Sequence, residues 1–276
     1  MSVLVIGASG PLGRAVVHEL SRAGHDVTGV SRSGGAGSSR ADVTDDLQAT
    51  GLLDGARPRA VVYLARPDLG DDPGGSGAIE SETQSLSRFA ERCSAAGVSR
   101  FVFASSAAVY GTGYSRPVHE ADALDDGSAY AALKIRSEVA LGRFESLSVI
   151  ALRVFNVYGP GFRDSLVNRL AHGSDPVVYD SEHYVRDYVH SSDVARAFTL
   201  AVEDPDAGSH TLNVGSGTGL DNPSLLRLFP GAAHRRHADT DVVSYSVADI
   251  SSIHSRWAFA PRVSVADAAV YPEYLR

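Results

Sequence analysis

The stretch "VLVIGASGPLGRAVVHELSRAG" limits the possible folds more than any other part of the chain. The apolar run Val3–Ile6 reads as a buried strand, and the pattern that follows "GASGP" reads as a helix ending at Gly24. Between them Gly7, Gly10 and Gly13 recur at every third position. A strand that turns at once into a helix needs one glycine to turn the chain. A second lets a pyrophosphate approach the backbone, and a third lets helix pack on strand. The helix N-terminus then offers unpaired N–H groups and a favourable dipole to the phosphates. This unit therefore predicts a dinucleotide site.

The rest of the first half repeats the alternation. "HDVTGVSR", "AVVYLAR", "RFVFASS" and "LSVIALRVF" are strand-like runs separated by helical sequence. Continuous rather than alternating apolar strands indicate a parallel sheet covered on both faces. With 276 residues the chain has room for one large domain and a smaller lobe. The expected architecture is α/β: a Rossmann-like doubly wound parallel sheet over residues 1–155, and a smaller C-terminal substrate-binding lobe over residues 156–276. One strand near residues 210–215 is expected to return to the sheet. The glycine- and serine-rich stretch 33–40 and the stretch 68–81 read as loops.

Composition narrows the partners. A formal charge of −8 argues against nucleic acid or an anionic membrane, without excluding local arginine clusters that bind phosphate. No apolar stretch approaches the ~20 residues of a membrane span, and no secretory signal precedes Gly7, so the cytoplasm is expected. The single cysteine, Cys93, lies in a helical pattern and reads as a buried hydrophobe. No metal site is expected, since His183, His190, His234 and His237 lack metal-ligand spacing and the chain has no cysteine pair.

Of 25 basic residues, 24 are arginines and one is Lys134, four positions after Tyr130 in "SAYAALKIRSE". The two share one helix face. A phenol, with a reference pKa near ~10, is a poor proton shuttle at neutral pH, and a neighbouring ammonium is expected to lower it. Such a tyrosine can donate a proton to a carbonyl or accept one from an alcohol. "FVFASS" brings Ser105 and Ser106 to a strand's C-terminal end, where open parallel sheets meet ligands. The second strand ends in Ser31, Arg32 and Ser33 with no carboxylate, which favours NADP over NAD.

Together these motifs resemble the extended short-chain dehydrogenase/reductase family, in its NAD-dependent epimerase/dehydratase branch, which acts mostly on nucleotide sugars. "GASGPLG", "ADVTD", "VVYLAR", "SSAAVYG", "YAALK", "LRVFNVYGPG" and "VRDYVHSSDVA" carry the match. The resemblance implies that Ser106, Tyr130 and Lys134 are catalytic. It implies a cofactor held by Gly7, Ser9, Gly10, Leu12, Gly13, Arg32, Asp42, Val43, Leu64, Ala65, Arg66, Ser105, Phe155 and Val157, with Tyr130 and Lys134 at its nicotinamide end. Asn156 would meet the substrate beside Ser106. Arg186, with Arg235 or Arg236 of "HRRHADTDVV", would hold a sugar-nucleotide diphosphate, Arg236 being preferred. A homodimer is also implied.

Some positions depart from that pattern. Arg66 replaces an alanine, Glu82 stands near the usual asparagine, and Ala107–Ala108 replace the Asp–Glu that dehydration needs. The expected activity is an NADPH-dependent ketoreductase acting on a sugar carbonyl. A nucleotide-sugar epimerase retaining NAD is the alternative. A non-catalytic dinucleotide sensor or scaffold is the reading from another class, against which the Tyr130–Lys134 pair counts.

Overall fold

The computed structural model describes residues 1–35, 37–66, 76–237 and 242–276. The chain runs β1 (Ser2–Ile6), α1 (Pro11–Arg22), β2 (Asp26–Ser31), β3 (Ser39–Arg40), α2 (Asp46–Ala56), β4 (Ala60–Tyr63), α3 (Ser76–Ala95), β5 (Arg100–Ser106), α4 (Ala129–Leu141) and β6 (Ser148–Val154). Of the expected loop 68–81, residues 68–75 lie outside the described residues, and 76–81 belong to α3 instead. The stretch "GAIESETQ" carries only one glycine and mostly helix-compatible residues, so the helix begins earlier than expected. The other expected loop ends early too, because Ser39 and Arg40 pair with Val30 and Ser31.

These strands and β10 (below) form a seven-stranded parallel sheet in the order β10-β6-β5-β4-β1-β2-β3. The strand order reverses between β1 and β4, which opens a crevice at their C-terminal ends. Both faces are apolar for a simple reason of period two. Val3 and Val5 pack with Val16, Leu20 and Phe198 on one side, whereas Leu4 and Ile6 pack with Phe89, Phe101 and Phe103 on the other. Helices α1 and α6 (below) cover the first face, and α3 and α4 pack together on the second. Cys93 is fully buried there, and burial pushes its thiol up to about 12, as an inert hydrophobe requires.

The second half runs β7 (Asn156–Tyr158), α5 (Leu166–Ala171), β8 (Val177–Val178), β9 (Tyr184–His190), α6 (Ser191–Glu203), β10 (His210–Val214), β11 (Gly219–Asp221), α7 (Asn222–Leu228), β12 (Arg235–Arg236), β13 (Ser244–Ser246), α8 (Ser251–Trp257) and α9 (Val265–Val270). The expected return strand is β10, which adds beside β6 with Asn213 opposite Arg153. Outside the large sheet, β9 gathers β7, β11 and β13, and β12 pairs with β8. Among the described residues no helix is long and apolar enough to cross a membrane.

Candidate active site

The three glycines divide their work as the strand–turn–helix geometry demands. Gly7 has φ +87°, and a Cβ there would come within 2.9 Å of the backbone of Leu64 and Ala65, which begin the turn after β4. A Cβ on Gly13 would lie 2.2 Å from the Gly7 carbonyl oxygen, so α1 can sit this close to β1 only with glycine. Gly10 is different. Its φ is −68°, nothing closer than 3.4 Å opposes a Cβ, and it caps α1 without any side-chain hydrogen bond. The glycine that the fold does not need is the one at the helix N-terminus facing the crevice, where an anion would lie.

That crevice is a cleft of about 480 Å³. It is lined by Gly7, Ser9, Gly10, Leu12, Gly13, Arg32, Asp42, Val43, Leu64, Ala65 and Arg66, all expected as cofactor residues. Ser31 and Ser33 at the end of β2 also line it, and Thr44, Tyr63, Glu82 and Phe162 are among the lining residues that only the structure reveals. The Asp42 carboxylate accepts hydrogen bonds from the Thr44 backbone N–H (2.9 Å) and hydroxyl (2.8 Å), which fixes the turn after β3. A glycine cradle, a helix N-terminus without a side-chain cap and a cleft reaching from that turn to the end of β2 fit a dinucleotide. Among the described residues no cluster of histidine, cysteine and carboxylates could hold a metal ion.

The Tyr130–Lys134 pair and Ser106 lie on α4 and at the end of β5. Ser128 starts α4 by accepting the Ala131 N–H at 3.1 Å, which sets Tyr130 and Lys134 in its first two turns. Ala131 and Ala132 beside Tyr130 are buried small residues, so this end of the helix packs close. The phenol of Tyr130 lies near the Ser106 hydroxyl, which holds its pKa down against burial, and Tyr130 remains 38% exposed. Lys134 is buried, donates to the Ala104 carbonyl at 2.8 Å, and lies 4.7 Å from the Phe103 ring centre and 5.6 Å from that of Tyr130. A hollow of about 20 Å³, roomy enough for one water, is shared by Lys134, Ser137, Tyr63, Ala65 and Glu82 and adjoins the cleft.

One expectation needs correction. Tyr130 is not made more acidic by Lys134 in this structure. Burial raises its pKa, and the opposing influences are the Ser106 hydroxyl and the charge of Arg66. The ammonium of Lys134 is committed to the Ala104 carbonyl, and its own pKa falls to about 8 because burial outweighs the nearby carboxylates of Glu138 and Glu82.

Other expected residues are scattered. Ser105 is buried and donates to Glu138, turned away from the cleft. Phe155 is buried against Tyr110, and Val157 packs against the core beneath α6. The Asn156 side chain donates to the Asp187 carbonyl at 3.0 Å. Arg186 stacks on Tyr184, 3.9 Å from the ring centre, and donates to the Ser244 carbonyl and hydroxyl. Tyr184 in turn stacks on Tyr179, which meets His237. Arg235 and Arg236 lie on β12 in ion pairs with Asp175 and Asp180, and the Arg236 side chain is 72% exposed. Arg186 therefore caps an aromatic stack, and Arg236 stands beside the stack's His237 in sequence, paired with Asp180. Residues 238–241 of the expected element lie outside the described residues.

A parallel sheet with its glycine crevice at the switch point, and a Tyr–Lys pair at the adjoining strand ends, defines a dinucleotide-dependent α/β enzyme. The chain belongs to the NAD dependent epimerase/dehydratase family, whose model matches residues 3–215. It is 30% identical to a UDP-glucose 4-epimerase of Mycolicibacterium smegmatis over 84% of this chain and 82% of that one. Among solved structures, MoeE5 in complex with UDP-glucose and NAD superposes with TM-score 0.84 at 29% identity, covering 98% of this chain and 96% of that chain. A UDP-glucose 4-epimerase from Stenotrophomonas maltophila with bound NAD and formylated UDP-arabinopyranose gives 0.84 at 25%, covering 99% and 97%. The chain is accordingly an enzyme of the NAD dependent epimerase/dehydratase family.

Proposed function

We propose that this enzyme epimerises a UDP-sugar at a hydroxyl-bearing carbon, with NAD kept bound throughout. The observation that carries this reading is the 30% identity to a UDP-glucose 4-epimerase across most of both chains. The Tyr130–Ser106 pair beside the glycine cleft supplies the chemistry it needs. The bound nicotinamide would take up and return hydride at the sugar carbon. Tyr130 would accept the hydroxyl proton as the alcohol is oxidised and give it back to the carbonyl oxygen on return. Ser106 would hold that oxygen, and Lys134 would orient the ribose and support the tyrosine. Residues 156–276 would mainly hold the nucleotide, with Arg186 and Arg236 on its diphosphate.

A second reading, the NADPH-dependent ketoreductase, is favoured by Arg32 and by the missing carboxylate at the end of β2. We also propose a homodimer through the outward faces of α3 and α4, where Val139 is 56% exposed. The deciding experiment is incubation with UDP-glucose and, separately, UDP-galactose in the presence of NAD, followed by chromatography. Interconversion without net change in nicotinamide absorbance supports epimerisation. Stoichiometric NADPH oxidation with 4-keto sugar nucleotides, and no interconversion, would establish the reductase instead.

A further inference from the structure

Arg153 shares one rung of the central sheet with two partners, pairing with Ser105 of β5 on one side and Asn213 of β10 on the other. Its side chain is buried and makes a bidentate ion pair with Glu138 of α4, Nε to Oε1 at 3.0 Å and Nη2 to Oε2 at 2.7 Å. The same carboxylate accepts the Ser105 hydroxyl. Nη1 of Arg153 donates to the Tyr110 hydroxyl at 2.9 Å and to the Glu120 carbonyl at 3.1 Å. Tyr110 donates onward to Asn213 (2.7 Å), whose backbone N–H donates to the Glu120 carboxylate (2.7 Å). That carboxylate also accepts the Ser252 hydroxyl of α8 at 3.0 Å. The network thus joins α4, β5, β6 and β10 to α8.

Its location gives it meaning. Glu138 lies one helical turn beyond Lys134, and Lys134 one turn beyond Tyr130. Ser105 and Ala104 flank each other on β5, one holding Glu138 and the other accepting Lys134. Ser106, the partner of Tyr130, is the next residue. Two adjacent clamps therefore fix the axial and rotational setting of α4 against the strand that carries Ser106. Buried ion pairs of this kind add little net stability over apolar residues of similar volume. Fully satisfied networks do fix geometry.

We infer that Glu138 and Arg153 are positioning residues for the reaction: their ion pair clamps α4 to the β5–β6 strand ends so that Tyr130 meets Ser106 and Lys134 meets the Ala104 carbonyl. The inference rests on the enzymatic role proposed above for Tyr130. The groups facing Lys134 are Tyr130 and Glu138 on its own helix, Glu82 of α3 and Tyr63 of β4. Those facing the ion pair are Ser105, Tyr110 and Lys134. Glu138→Gln keeps the shape but removes a negative charge beside Lys134. Arg153→Met removes the neutralising cation and leaves that negative charge.

The test compares Glu138→Gln, Arg153→Met and the double variant Glu138→Leu/Arg153→Met with native enzyme, in whichever of the two assays the native enzyme turns over. Both single variants should lose kcat by about 10- to 100-fold, as expected for slight misplacement of reacting groups, with KM and NAD affinity unchanged. The basic limb of the kcat–pH profile should move to lower pH in Glu138→Gln and to higher pH in Arg153→Met. The double variant should melt near the native temperature yet stay slow. Native kcat and pH profile in folded Glu138→Gln would overturn the inference, as would recovery of kcat with stability in the double variant. A further arm needs no substrate: the near-ultraviolet phenolate signal of Tyr130, isolated by subtracting Tyr130→Phe, should shift in folded Glu138→Gln. Absence of that shift would also overturn it. If native enzyme turned over in neither assay, the functional reading would fail while this arm still judged the clamp.

Discussion

The two halves of the crevice edge are built on opposite principles. On the β1–β2–β4 side the cleft is built around a glycine turn whose close backbone approach leaves no room for a Cβ at Gly7 or Gly13. On the β5–β6 side the important atoms belong to charged side chains: the buried Lys134 and Arg153 and the nearly buried Glu138. A backbone cradle binds by shape and dipole, so its requirements are local and short-range. Proton chemistry needs groups with tuned charge at fixed distances, which takes partners from several elements. Binding is therefore specified by spacing, and catalysis by packing.

The sharpest way to break this contrast is Tyr130→Phe. Loss of the proposed acid/base should lower kcat by about 10²- to 10⁴-fold, while titration calorimetry finds NAD affinity intact. Next, Lys134→Met should abolish measurable turnover and change the pH dependence of stability. The folded amine, at about 8, is less basic than its ordinary value of 10.5. Its burial therefore costs stability fully below about pH 8, and the cost fades as pH rises toward 10.5. Thermal melts should show the variant's Tm relative to native highest at pH 7 and declining at pH 10.

The glycines test the other side. Gly13→Ala should destabilise the fold by about 1–3 kcal/mol through overpacking, seen as a lowered denaturant midpoint. Gly10→Ala should leave that midpoint unchanged and weaken NAD binding by about tenfold, ~1.4 kcal/mol. Equal effects on folding would erase the distinction drawn between them. Arg32→Glu comes next: NADP affinity should fall by about tenfold, roughly one charge-assisted hydrogen bond, with NAD affinity preserved. The smallest effect is expected from Arg66→Ala, because an exposed guanidinium is well screened. Tyr130 should titrate slightly higher, and kcat at neutral pH should change by less than about threefold.

The glycine and strand-end part of the cleft was legible in advance, since glycine spacing, strand ends and the β2 terminus are local signals. Even there, Phe162 escaped, because it reaches the cleft from a loop far along the chain. The buried network escaped for a similar reason. Glu138, four residues after Lys134, looks like an exposed helical ion pair, and Arg153 looks like one of many arginines. Nothing in their spacing says that a sheet rung will align Ser105, Arg153 and Asn213. The expectation for Tyr130 failed because sequence adjacency puts an ammonium near a phenol but cannot weigh desolvation against it.

By itself, then, the sequence determined the parallel α/β sheet, the glycine turn at its switch point and the Tyr130–Lys134 face, each of which follows from residue period and from what glycine alone permits. Tertiary structure decided the acidity of Tyr130, the burial of Lys134, the pairing of Glu138 with Arg153 and the stacking of Arg186 on Tyr184. The physical reason is that charge energetics depend on dielectric surroundings and on partners far apart in sequence. Those are set only when the sheet and helices close around them.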